Sequence, residues 1–241
     1  MIIFCFLTYN DIKPIHDWNL FFDGVDQSNY QVWIHPKTSI NKNLYKFPVN
    51  IVQNKVITIN KSHISIVKAT LKLFKESILS INLEDNKKKP VFIFCSQNCI
   101  PLNDFNFYNT FTSDLNKSIV SYIDLNCKER YFQMSNTLKR YISYNQFVKQ
   151  QPNMILIYDD VKLLIDNDMT IHFKSMICGD EHYFINILLY ILKRNIIKSQ
   201  THFCNYDLKK TQAIEFYNPS NNLKNSIKKM GFLFMRKVFY T

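Results

Sequence analysis

The sequence predicts an α/β fold, a mixed and mostly parallel sheet with helices on both faces, and three observations carry that expectation. Ile2–Leu7 and Val91–Cys95 are continuous apolar runs of strand length, the pattern of strands buried on both faces. Between such runs lie segments with apolar residues at helical spacing: Ile15–Phe22, and a longer one from Ser62 that carries Ile66, Val67, Leu71, Phe74, Ile78 and Leu79. Strands that alternate with helices imply right-handed crossovers between parallel strands, and ligands of such sheets bind at the carboxyl ends of the strands.

The elements follow in order. Thr8–Asp11 is a turn after the first strand, Tyr30–His35 a second strand and Lys55–Ile59 a short third one. The polar run Glu84–Pro90 separates the long helix from the strand Val91–Cys95. A helix is expected near Asp104–Leu115, a strand at Ser118–Asp124, an apolar segment at Tyr131–Met134 and a helix from Asn136 to about Gln150. Gln151–Lys174 reads mostly as loop, with a short helix or strand near Val161–Ile165. An apolar helix then runs to about Lys193, and Gly231–Phe239 closes the chain as an aromatic strand with two adjacent cations, Arg236 and Lys237. Three loops therefore face the expected site: Thr8–Asp11, His35–Thr38 and Ser96–Leu102.

With 241 residues, 46% of them hydrophobic, residues 1–241 are expected to form a single domain with a sizeable core. A net charge of +11 suggests a polyanionic partner, yet all but four of the 30 basic residues are lysines. Together with abundant Asn, Ile, Tyr and Phe, that skew reads as compositional drift with a solvated surface, so no nucleic-acid partner is expected. The six cysteines show no C-x-x-C and no Cys/His pairing at zinc-finger spacing, and no metal site is expected. Gly24, Gly179 and Gly231 are the only glycines, which excludes the glycine-rich nucleotide cradles. No charged leader precedes Met1–Leu7 and no stretch reaches the roughly 20 apolar residues of a membrane span, so the expectation is a protein without anchor, in the cytoplasm rather than the Golgi lumen.

The chemistry concentrates in Cys178-Gly179-Asp180-Glu181-His182-Tyr183. Asp180 fits a helix N-cap, and Glu181 fits a first turn where the helix dipole favours negative charge. The sharper reading is a catalytic carboxylate, and it draws on the rest of the chain.

Six blocks in order are similar to one family: Phe4–Thr8 with Trp18–Phe22, Val32–His35, Phe92–Leu102, Tyr131–Met134, Asp180–Tyr183 and Phe232–Lys237. Together they resemble the core-2/I-branching β-1,6-N-acetylglucosaminyltransferases, closest to the plant-type branch. The resemblance implies a GT-A-type (Rossmann-like) glycosyltransferase fold, inversion at the anomeric carbon and no metal requirement. It implies transfer of N-acetylglucosamine or another sugar from a nucleotide-sugar donor, a UDP-sugar, to a glycan or glycoprotein acceptor, with no other cofactor. Glu181 falls on the family's general base and Asp180 on the carboxylate before it, where it fixes the turn. Lys237 falls on the family's closing basic position beside Arg236, and Lys210, or Lys209, on a second cation before Gln212–Phe216. Such cations would stabilise a departing diphosphate without a metal. Thr8 and Gln97, in the loops facing the site, complete the expected substrate contacts.

The sequence also departs from the family. Ser96-Gln97-Asn98-Cys99 lacks the carboxylate of the plant-type Ser-Glu-Ser-Cys, and His35-Pro36-Lys37 has no acid after its strand. Lys128–Tyr131 stands where members carry a small residue and Trp. Asp166-Asn167-Asp168 spells the metal-binding D-x-D but lies in a loop-like segment before the carboxylates, and is set aside. These departures leave two alternatives: a catalytically degenerate glycan- or partner-binding protein of the same fold, and a basic nucleic-acid-binding protein.

Overall fold

The computed structural model describes residues 1–59, 64–82, 88–123, 128–207 and 212–240. Its first half runs β1 (Ile2–Thr8), α1 (Ile15–Phe21), β2 (Tyr30–Pro36), β3 (Asn50–Ile51), α2 (Ser65–Leu79), β4 (Val91–Ser96), β5 (Ile100–Pro101), α3 (Phe105–Ser113) and β6 (Ile119–Ile123). Two short helices, α4 (Lys128–Gln133) and α5 (Asn136–Lys139), lead to β7 (Lys149–Ile157) and α6 (Tyr158–Asp166). A 3₁₀ turn over Gly179–Glu181, α7 (Tyr183–Asn186) and a π turn at Ile187–Ile191 come next. The chain ends with β8 (Ile197–Lys198), β9 (His202–Cys204), β10 (Tyr206–Asp207), β11 (Gln212–Ala213), β12 (Phe216–Tyr217), α8 (Asn221–Lys229), β13 (Phe234–Arg236) and β14 (Val238–Phe239).

Seven strands form the main sheet in the order β3-β2-β1-β4-β7-β6-β8. Only β7 runs against its neighbours, and every other pairing in that sheet is parallel. Alternation along β1 explains its unbroken apolar run. Ile3 and Cys5 pack with α2 and α6 side chains such as Phe74 and Leu164, while Ile2, Phe4 and Phe6 pack on the other face with Trp18, Phe21 and Tyr108. The mixed, mostly parallel sheet with helices on both faces is the one expected. A second sheet, β5-β13-β9, is joined to the loop after β4, because Leu102 N donates to Leu233 O at 2.9 Å.

Several elements differ from expectation. Lys55–Ile59 is not a strand: β3 pairs with Trp33 and Ile34 instead, and Ile57 stands 85% exposed with no second face to cover it. The helix expected from Asn136 to Gln150 stops at Lys139, since sheet pairing captures the chain from Lys149 onward and overrides helix propensity. Gln151–Lys174 is therefore not mostly loop: it holds seven of the nine residues of β7 and then α6, which covers the short helix or strand expected near Val161–Ile165. The apolar helix to Lys193 is broken into α7 and the π turn, and the closing strand is split into β13 and β14. Among the described residues no helix is long and apolar enough to cross a membrane.

Trp18 joins α1 to the site edge. Its ring, wholly buried, meets Phe6 at 4.9 Å and stacks near Phe234 at 6.3 Å, and its Nε1 donates to Cys99 O at 2.8 Å. Trp18→Ala removes that volume and leaves the carbonyl unpaired, so it is expected to cost roughly 3–5 kcal/mol in urea unfolding, and a loss below about 1 kcal/mol would contradict this packing account.

Candidate active site

The parallel strands β1, β2, β4 and β6 end at one edge of the sheet, and β7, running the other way, begins there. The register shows it: Leu7 lies opposite Ser96, Thr8 opposite Pro36, and Ile123 opposite Lys149. The three expected loops meet along this edge. Lys37 N donates to Thr8 O at 2.9 Å, Thr38 N to Tyr9 O at 2.8 Å and Lys13 N to Gln97 O at 2.9 Å. Gln97 also accepts from Tyr9 N through its side chain. From the C-terminal end, Val238 N donates to Asn98 O at 2.8 Å, which brings the Arg236–Lys237 segment against the loop after β4.

The carboxylate pair reaches the same edge through β7. Cys178 turns the chain with a left-handed φ of 56°, and Glu181 N and His182 N then bond back to Cys178 O and Gly179 O at 2.9 and 3.1 Å. Asp180 is thus not an N-cap; it sits inside the 3₁₀ turn, and Cys178 takes the flanking position. Gly179 packs closely, since a Cβ there would stand 3.2 Å from Ile64 Cδ1, a tight contact that a small shift of that side chain would relieve. Buried side chains tie the turn to the sheet. His182 Nδ1 donates to Val148 O at 3.0 Å, with its ring stacked 4.8 Å from Phe147. Asn186, fully buried, accepts from Val148 N at 3.1 Å and donates to Val148 O at 2.8 Å and His182 O at 2.6 Å. Gln150 accepts from Ile185 N at 2.7 Å.

Glu181 and Lys149 pair at 2.9 Å, each side chain about a third exposed, so the bond orients the carboxylate and contributes at most about 1 kcal/mol. Asp180 is set deeper. Burial first, and the neighbouring Glu181 charge second, push its carboxyl up to about 6, against amide hydrogen bonds that pull the other way. One of its oxygens, Oδ1, is shut from solvent without a hydrogen-bond partner.

That orphan has company. Thr8 Oγ1, Asn10 Oδ1, His35 Nδ1, Asn98 Nδ2 and Arg236 Nε are likewise buried and unpartnered, and all of them belong to segments at the carboxyl edge of the sheet. Buried polar groups are normally paired, so such a concentration marks where a polar ligand completes the structure. Two cavities of about 510 Å³ lie away from these segments, one lined by Asp17, Leu20 and Asp104, the other by Trp33, Gln53 and Glu76.

Of the residues expected at a site, Thr8, Gln97, Asp180, Glu181, Arg236 and Lys237 lie on segments that the hydrogen bonds above bring to one edge; Lys210 and Lys209 lie outside the described residues. Gln97 serves the Tyr9 backbone. His35 is buried and accepts from Val56 N at 3.0 Å, with burial lowering its proton affinity. The D-x-D residues serve local structure: Asp166 pairs with Lys162 at 2.7 Å and Asp168 accepts from Thr170 N at 2.8 Å. Sequence reasoning missed Lys149 and Asn186 and the contact of His182 with Val148, because these side chains lie 32 to 38 positions from their partners. It also missed that Cys95, Cys99 and His202 gather in the interior.

The fold is a mixed, mostly parallel α/β sheet with a carboxylate pair and the Arg236–Lys237 segment at its carboxyl edge, and the class of protein, a glycosyltransferase, follows from the family to which the sequence belongs. The chain is a member of the Core-2/I-Branching enzyme family, whose profile matches residues 2–231. Among solved structures it is similar to the galactosyltransferase LgtC in complex with donor and acceptor sugar analogs, with 10% identity over 97% of this chain and 86% of that one and a TM-score of 0.46. It is also similar to the apo form of the bifunctional glycosyltransferase WbbM, with 11% identity over 98% of this chain and 45% of that one and a TM-score of 0.44. No curated protein sequence matches it.

The raised Asp180 carboxyl has a consequence for folding. The folded chain holds this proton more tightly than the unfolded one, so the group favours folding fully below about pH 4, and that contribution, about 3 kcal/mol, is lost as the pH rises through about 6. Asp180→Asn is therefore expected to be more stable than the parent near pH 8 and to lose that advantage near pH 4 in urea unfolding; equal stability near pH 8 would contradict the assignment.

Proposed function

We propose that the protein is a metal-independent inverting glycosyltransferase that moves a sugar, N-acetylglucosamine in the first place, from a UDP donor to a hydroxyl of a glycan or glycoprotein. The observation that carries this reading is the row of orphaned buried polar atoms along the edge where Glu181 and the Arg236–Lys237 segment arrive. Family membership supplies the reaction class.

In this reading Glu181, aimed by Lys149, takes the proton of the acceptor hydroxyl as its oxygen attacks the anomeric carbon. The bond from that carbon to the diphosphate breaks, its electron pair leaves with the diphosphate, and a single displacement inverts the centre. Arg236 and Lys237 supply fixed positive charge for the leaving group, the role a divalent ion fills in other nucleotide-sugar enzymes. Asp180 holds the turn that presents Glu181. Lys210 is proposed as a further cation from the resemblance alone.

A second reading, a glycan-binding member without catalysis, is favoured by Gln97, whose amide is occupied by the Tyr9 backbone where the plant-type branch has a carboxylate. Calorimetry separates the two: this reading gives no heat with nucleotide sugars and heat with an oligosaccharide.

The proposal is tested by screening nucleotide sugars for transfer and hydrolysis with and without a brief chelator treatment. Turnover is expected in both conditions, and Glu181→Gln is expected to lower it by roughly 10²–10⁴-fold while the melting curve is unchanged. Absence of turnover with every common donor would overturn it.

A further inference from the structure

Cys95 ends β4, Cys99 lies in the loop that follows and His202 stands on β9, more than a hundred residues further on. The two thiols are fully buried and the imidazole is 1% exposed, and one ligand atom from each lies within 4.8 Å of the other two. We propose that these three side chains form a binding site for a thiophilic closed-shell cation, zinc in the first place, that fastens the small sheet to the large one.

The donor set is the one such an ion selects: two soft sulfurs and an imidazole. Zinc bound at about 2.3 Å to sulfur and 2.0 Å to nitrogen needs donors about 3.5–3.8 Å apart. Cys95 Sγ and His202 Nε2 are 4.0 Å apart, so a small closing of the cluster seats the ion. The surroundings orient the imidazole as ligating histidines require. Its other nitrogen, Nδ1, is 2.9 Å from Thr201 Oγ1, and the ring stacks on Phe234 with centroids 4.4 Å apart. With Nε2 on the ion, Nδ1–H donates to that hydroxyl and the tautomer is settled. Ser96 Oγ lies 3.6 Å from Cys99 Sγ.

A second observation points to a missing occupant. Asn153 on β7 lies one step beyond the Phe94–Met154 pair, across from Cys95, and by alternation shares its face. It is 3% exposed, and neither of its amide atoms has a partner. Its carbonyl or an ordered water is the natural fourth ligand.

Binding balances simply. Zinc forms bonds to both sulfurs and to Nε2, the two S–H bonds break, and two protons leave to solvent, so the net charge of the cluster is unchanged. The ion fixes the loop carrying Gln97 and Asn98. It plays no part in the displacement proposed above, and the two readings fail separately: a brief chelator treatment tests the reaction, and metal content tests this site.

The experiment uses the untagged full chain. Elemental analysis is expected to find one zinc per chain, and cobalt added to the metal-stripped protein is expected to give a thiolate-to-cobalt charge-transfer band with the visible bands of a tetrahedral ion. Cys99→Ser is expected to abolish that band. Thr201→Val, which removes only the hydroxyl behind the imidazole, is expected to weaken zinc binding about 10–100-fold. Folded parent protein with no stoichiometric zinc and no such band, binding unchanged in Cys99→Ser, or an intact mass showing a Cys95–Cys99 disulfide would each overturn the proposal.

Discussion

The arrangement of the active edge depends on one buried amide. Asn186 closes both polar groups of the Val148 backbone and at the same time holds the carbonyl of His182, one turn before it. Asn186 is fully buried, and each of those backbone groups would cost roughly 1–3 kcal/mol if left alone. The entrance of β7 and the carboxylate turn are therefore one unit. Lys149 follows Val148 directly and Glu181 precedes His182 directly, so the same bonds that satisfy the backbone bring the cation and the acid into contact.

The two carboxylates have been given different surroundings by a difference of one residue. Glu181 faces the solvent side of the turn and is held by a lysine, while Asp180 faces inward, where burial opposes its charge. Neighbouring acids in unlike environments can carry different roles, and the division proposed above for Glu181 and Asp180 rests on this difference. Elsewhere along the edge, the segment after β1, the loop after β4 and the last strand are joined by a few hydrogen bonds.

Much of the sheet was legible because burial on both faces writes itself as an uninterrupted apolar run, as in Ile2–Leu7 and Val91–Cys95. β7 was not, because its first half reads Lys149-Gln150-Gln151-Pro152-Asn153, and those residues are polar for the sake of the carboxylate turn and the sheet edge they approach. The helix expected to Lys193 failed for a related reason: its apolar spacing is real, but the chain widens into a π turn before Lys193 takes a left-handed φ of 53°. At the candidate site, the reading of Glu181 rests on family resemblance. Lys149, Asn186 and the approach of His202 to Cys95 and Cys99 were not legible, since these contacts join positions far apart in the sequence.

The loop after β4 is held from three sides: by Tyr9 and Lys13 near the N-terminus, by the indole of Trp18, and by Val238 near the C-terminus. A segment anchored to such distant stretches is epistatic with all of them. Inherited changes there are therefore constrained to arise in concert with changes in those distant stretches.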